Sequence, residues 1–221
     1  MRQANPDASM QIDQTLLDQE DPSEIKIRDL QWSDLTYTVK KGTKHQKTIL
    51  EDCFGHAKAG EVTAIIGESG AGKSTLLHIL AQITNSSHGE ISGRISLNGC
   101  QTSPEYIKGM SSYLRQEDVY HTFFSPNELL QFAAKLRVDG TNEERQEVIN
   151  ELLRDLKLEK CRNTRVGSFE NKGLSGGEKR RISMALELLV NPGVLFMDEP
   201  TSGLDSFTAL LVMGLLKQEA K

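Results

Sequence analysis

The stretch "GESGAGKS", Gly67 to Ser74, constrains the fold of this chain more than any other. It matches GxxxxGK[ST] and has flanks of the right kind, an apolar β-branched run "VTAII" before it and a helix-forming run "STLLHILAQI" after it. Gly67, Gly70 and Gly72 let the main chain bend tightly, so that the amides of Glu68, Ser69 and Ala71 can close around phosphate oxygens. Lys73 would then face the β- and γ-phosphates of a nucleoside triphosphate, Ser74 would ligate Mg²⁺, and Thr75 would donate to an inner phosphate. A strand, a glycine loop and a helix in this order predict an α/β fold, and with the rest of the chain a P-loop core sheet with flanking helices, an antiparallel β portion in front and a helical lobe from about residue 120 to 180. A glycine turn before a purely structural helix is the plainer alternative.

With 221 residues, 37% of them hydrophobic, the chain can bury one sizeable core and a small second lobe. Its formal net charge of −5 gives no electrostatic reason for a nucleic-acid groove, and no nucleic-acid partner is expected. Cys53, Cys100 and Cys161 are far apart and form no CxxC pair, so neither a disulfide framework nor a zinc site is indicated. The histidines at 45, 56, 78, 88 and 121 show no metal-ligand spacing. The longest apolar windows, "ALLVMGLL" and "ISMALELLV", are far short of the roughly 20 residues that span a bilayer.

Residues 1–24 are acid-rich, with Arg2 as the only base, and read as a disordered tail. From Ile25 the pattern turns to β-rich pieces: "IKIRDLQW", "LTYTV", "EVTAIIG" and "GRISLNG", with Asn98-Gly99 as a tight turn. Ser125-Pro126-Asn127-Glu128 combines a capping box with proline at the first helical position, and Leu129, Phe132, Ala133 and Leu136 follow as a core stripe. Thr141 and Glu144 repeat the box before a stripe of Val148, Ile149, Leu152 and Leu156. These signals divide residues 25–221 into a P-loop lobe (25–119), a helical subdomain (120–180), and a return to the core (181–221).

Two further motifs carry chemistry. "VLFMDE" is a buried-type strand delivering Asp198 and Glu199 at its C-terminal edge, where ligands of parallel sheets bind. Asp198 would hold Mg²⁺, while Glu199 would polarise the attacking water. "LSGGEKRRIS" places Ser175 and Glu178 as the S-x-x-E start of a helix that Asn191-Pro192 stops. Gly176 and Gly177 leave that helix start bare, which suits a phosphate, although capping alone would also explain it.

The order and spacing of "GESGAGKST", "LSGGE" and "MDEPTSGLDS" resemble those of ABC-type ATPases from about Ile25 to the last residue. The resemblance implies ATP and Mg²⁺ as ligands and a head-to-tail pair of ATP-binding domains. In such a pair Leu174, Ser175, Gly176, Gly177 and Glu178 close on the γ-phosphate held by the partner. Glu178 stands where many relatives have Gln. By the same resemblance Gln116 in "YLRQEDVY" is the Q-loop residue, contacting Mg²⁺ and the attacking water. Tyr37 resembles the A-loop aromatic that packs on adenine, with Trp32 close by, and Asp205 matches the D-loop that meets the partner.

"GEISGRISLNG", "RQEDVYHTFFSPNELLQFAAKLR" and "ALELLVNPGVLFMDEPTSGLDS" are most similar to the G subfamily, the White-type half-transporters. This implies export of lipids, sterols or other hydrophobic compounds. It also implies a transmembrane domain downstream of the ATP-binding domain and a place at the cytoplasmic face of a membrane. The family's switch histidine has no counterpart before Lys221, so the chain is expected to be an incomplete cassette. Two alternatives stand beside the transporter module: a soluble ABC-type ATPase, and a nucleotide-binding module without turnover.

Overall fold

The computed structural model describes residues 29–40, 42, 44–84, 89–116, 122–167 and 173–220. The acidic tail and the expected domain start at Ile25 lie outside them. Four strands make an antiparallel sheet in the order β2-β1-β3-β4: β1 (Asp29–Val39), β2 (Lys47–Lys58), β3 (Gly89–Leu97) and β4 (Cys100–Gln101). The pieces "IKIRDLQW" and "LTYTV" contribute to one strand, β1, whose register slips where Asp34 takes φ 55°. Asn98 and Gly99 turn β3 into β4 with φ of 53° and 78°, the left-handed pair that a two-residue hairpin requires.

A second, parallel pair joins β5 (Ser111–Leu114) to β6 (Val194–Met197). Gly193 N–H to Met110 O (2.8 Å) and Asp198 N–H to Leu114 O (2.9 Å) extend that ladder at both ends. The helices are α1 (Lys73–Leu80), α2 (Pro104–Met110), α3 (Pro126–Arg137), α4 (Asn142–Asp155), α5 (Gly176–Leu188) and α6 (Ser206–Glu219). Capping boxes form at Ser125/Glu128, Thr141/Glu144 and Ser175/Glu178, as the sequence predicts, so α3, α4 and α5 start where their orphan amides find a carboxylate.

Two apolar clusters result. One holds the sheet together with α1: Leu30, Leu35, Tyr37, Leu50, Ile79 and Leu80, with Phe196 from β6. The other gathers α3, α4, α5 and α6 through Leu130, Ile149, Leu153, Ile182, Met184 and Val212, so α5, which opens with "LSGGE", packs with the helical lobe.

Two expectations are corrected. In α3 the buried face is Leu129, Leu130 and Ala134, while Phe132 and Leu136 are 58% and 70% exposed. The segment "LLQFAAKL" carries two possible apolar stripes, and contact with α4 and α5 selects one. The run "EVTAIIG" is not a strand: residues 62–68 have no ladder, and Ile66 is 92% exposed. Among the described residues no strand lies beside it, and a run without neighbours cannot satisfy its amides as a sheet.

Candidate functional site

The glycine loop is shaped from beneath. Gly70 and Gly72 take φ of 81° and 92°, and a Cβ on Gly72 would lie 2.9 Å from Leu50 Cδ2 on β2, so this corner passes against the sheet with no room for a side chain. Gly72 also starts α1 without any side-chain cap, leaving that helix N-terminus open to an anion. Lys73 Nζ donates to Gly67 O at 2.9 Å and Glu68 O at 2.7 Å, so the loop curls around its own positive charge.

One residue further on, Ser74 Oγ donates to Asp198 Oδ1 at 3.0 Å, across 124 positions of sequence. β6 brings Asp198 here, and the residue is 9% exposed. Its other oxygen accepts from Tyr113 Oη at 3.4 Å, from the neighbouring strand β5. Burial, then the Asp198 charge and this hydrogen bond, push the Tyr113 hydroxyl well above the ordinary phenol range, so it stays a donor. Glu199, the next residue, takes φ 45°, a left-handed conformation unusual for glutamate, and its Oε2 accepts from Gln116 Nε2 at 2.8 Å. Ser74, Asp198, Glu199 and Gln116 are thus gathered beside the start of α1.

Magnesium fits this donor set. A hydroxyl and a carboxylate oxygen already stand side by side, both hard ligands, and the remaining positions can be filled by phosphate oxygens and water. Among the described residues no group of three or more His, Cys, Asp or Glu side chains could hold a metal alone, so an ion here would depend on the phosphates.

The "LSGGE" turn is organised separately. Ser175 N–H and Oγ–H both donate to Glu178 Oε2 at 2.8 Å, and Glu178 N–H returns to Ser175 Oγ at 3.3 Å. Burial opposes ionisation of Glu178. The Ser175 amide and hydroxyl, the Cys161 thiol and nearby Arg181 outweigh it and hold the carboxyl below its ordinary pKa. The Cys161 thiol is pushed up to about 11, by burial first and by the Glu178 charge second, and is therefore inert. The two glycines differ. A Cβ on Gly177 would stand 2.5 Å from Thr208 Cγ2, so close approach of α6 explains that residue; Gly176 has nothing within 4 Å, and its bare face opens outward.

Other predicted residues take structural positions. Leu174 is buried in the helical cluster. Asp205 caps α6, accepting from the Phe207 and Thr208 amides at 3.1 Å each and from Thr208 Oγ1 at 2.6 Å, which holds its carboxyl below the ordinary value. Tyr37 is only 5% exposed, pairs across the sheet with Leu50, and lies against Gly89. Its side chain belongs to the apolar cluster of the sheet and α1. Sequence reasoning missed Tyr113 and Arg180. Arg180 and Arg181 stand one helical turn before the fully buried Met184 and Ala185, a spacing that already puts both arginine stems on the inner face of α5.

Comparisons with known proteins point to one family. The ABC transporter family profile matches residues 50–202. ABC transporter G family member 7 of Arabidopsis thaliana is 40% identical over 196 residues, covering 87% of this chain and 27% of the relative. The ABC transporter ATP-binding protein/permease wht-3 of Caenorhabditis elegans is 38% identical over 192 residues, covering 86% and 31%. Among solved structures, cbiO1 from Clostridium perfringens, part of the ABC transporter complex cbiONQ, superposes with a TM-score of 0.71 at 27% identity, covering 88% of this chain and 74% of that one. The chain spans about a quarter to a third of the length of these curated relatives. Phosphate loop, paired acids and "LSGGE" turn, together with these matches, show that the chain belongs to the ABC transporter family, as a nucleotide-binding domain homologous to those of G-family members.

Proposed function

We propose that this chain binds MgATP and hydrolyses it as the power module of a half-transporter that exports lipids, sterols or other hydrophobic compounds from the cytoplasmic face of a membrane. The observation that carries the reading is the Ser74–Asp198 contact at 3.0 Å, which puts the end of β6 against the head of the phosphate-loop helix. Phosphate oxygens would enter the open amides of residues 67–75, with Lys73 turning from its loop carbonyls toward them. Ser74 and Asp198 would hold Mg²⁺, which neutralises phosphate charge when bound. Glu199 would take a proton from the attacking water, and Gln116, already bonded to that carboxylate, would orient the pair.

The open side of Gly176 supports a further element, a second copy or a related domain whose ATP is completed by the Ser175–Gly177 turn. Similarity to G-family relatives supports the cargo class and a transmembrane partner domain. Among the described residues no helix is long and apolar enough to cross a membrane. Glu199→Gln tests the reading: the amide keeps the shape and loses the base, so turnover should fall by about 10²–10⁴-fold while MgATP still binds. Sedimentation with MgATP should show the variant pairing. Unchanged hydrolysis would remove Glu199 from its role, and a strictly monomeric variant saturated with MgATP would remove the head-to-tail pair.

A further inference from the structure

The bases in "EKRRIS" do not form a solvated face: Arg180 and Arg181 are 3% and 9% exposed. The Arg180 guanidinium lies against main-chain carbonyls of two separate segments. Nη1 donates to Arg115 O at 2.6 Å and Gln116 O at 3.4 Å, just after β5. Nη2 donates to Asp198 O at 3.1 Å and Glu199 O at 3.3 Å, and Nε to Pro200 O at 3.1 Å, just after β6. The β5–β6 ladder ends at the bond from Asp198 N–H to Leu114 O. Beyond it the two chains would part, and the guanidinium bridges the opening. These are the segments whose side chains meet as Gln116 Nε2 and Glu199 Oε2 at 2.8 Å.

We propose that Arg180 is a positioning residue for hydrolysis: by clamping the backbones that leave β5 and β6, it holds Gln116 and Glu199 in register with each other and with Asp198. The inference rests on the reading of Glu199 as the base. A planar fork with several donors serves the five carbonyls of the two segments together, whereas a lysine ammonium has three donors and leaves some of those carbonyls unpaired. The left-handed φ of Glu199 fits the same role, since such a conformation persists only where the surroundings over-determine it, and Arg180 bonds the carbonyls of that residue and of both its neighbours. Arg180 also stands in the helix that opens with the "LSGGE" turn, so the catalytic pair is fastened to the element proposed to read the partner's phosphate.

The test uses the 221-residue chain with Arg180→Met and Arg180→Lys. In Arg180→Met, MgATP affinity from a fluorescent-nucleotide titration should stay within about two-fold, while kcat falls about ten- to a hundred-fold at nearly constant KM, as misplacement without lost binding predicts. Arg180→Lys should recover only part of the loss. Adding Gln116→Ala to Arg180→Met should cost little more turnover, because the pair is already out of register. Amide exchange reads the clamp without any chemistry: protection should fall at residues 114–116 and 197–201, with α4 unchanged. Full turnover and unchanged local exchange in Arg180→Met would overturn the proposal. So would loss of protection spread evenly over the chain, or, if Met prevents folding, a Lys variant identical to the parent. A parent that fails to bind MgATP would defeat the ATPase reading instead, and the exchange arm would still decide on the clamp.

Discussion

Two apolar runs of similar character meet opposite ends in this molecule. "VLFM" becomes β6 and buries Phe196 to 5% exposure, whereas "VTAIIG", the richer of the two in β-branched residues, has no ladder and leaves Ile66 92% exposed. The difference is a neighbour. β5 lies alongside β6 in parallel register, while among the described residues nothing pairs with 62–67. Between the unpaired run and β6 lies a slot of about 440 Å³, lined by Thr63, Ile65, Val194, Phe196, Met213 and Leu216 among others. Side-chain composition specifies a preference for extended backbone, and pairing must come from elsewhere. Asp198 and Glu199 are delivered by the paired run. The phosphate loop, which follows the unpaired one, is shaped by β2 behind Gly72 and by Lys73 within.

The sharpest way to break this comparison is to truncate both runs. Phe196→Ala should lower unfolding free energy by about 3–5 kcal/mol, and Ile66→Ala should stay within about 0.5 kcal/mol, read by denaturant titration. Equal losses would mean that Ile66 is packed in solution. The same logic applies at smaller scale to the signature glycines. Gly177→Ala forces a methyl against Thr208 and should cost about 1–3 kcal/mol. Gly176→Ala has open space and should be neutral, or stabilising by up to about 1 kcal/mol as glycine leaves a helix, while weakening MgATP-driven pairing in sedimentation.

A still smaller effect is expected from Glu178. Its folded pKa lies below the ordinary 4.5, so its contribution is fully present above that value and is lost as pH falls through the depressed one. Glu178→Gln keeps an acceptor for the capping box and removes the titration. Between about pH 6 and about pH 3 its thermal midpoint should fall less than the parent's. Parallel slopes would show that the Glu178 carboxylate is not coupled to folding.

What the sequence disclosed was chiefly what is local. The caps at Ser125, Thr141 and Ser175 and the Asn98-Gly99 turn depend on neighbours a few positions away, and each forms. β2 was hidden because Glu51, Asp52, Gly55 and His56 interrupt its alternation. The fate of "VTAIIG" and the buried face of α3 were hidden because both are decided by distant elements. In the site, Ser74, Asp198, Glu199 and Gln116 come together, an arrangement that motif spacing indicated and only the β5–β6 register could place. Tyr37 read as a stacking aromatic by resemblance alone, and its packing against Gly89 and opposite Leu50 is a tertiary contact that no local pattern announces. Arg180 was masked by its charge, since a run of bases suggests a solvated face unless its helical phase is followed onto Met184.

The central claim is that the open loop at 67–75 is a MgATP site built around Lys73. The most direct test is a fluorescent-ATP titration of the 221-residue chain and of Lys73→Ala, each with Mg²⁺ and with a chelator. The account predicts saturable, Mg²⁺-dependent binding by the parent and a weakening of at least about thirty-fold in the variant, the loss of roughly 2 kcal/mol of charge-assisted contact. Binding of equal strength by the two proteins would contradict it.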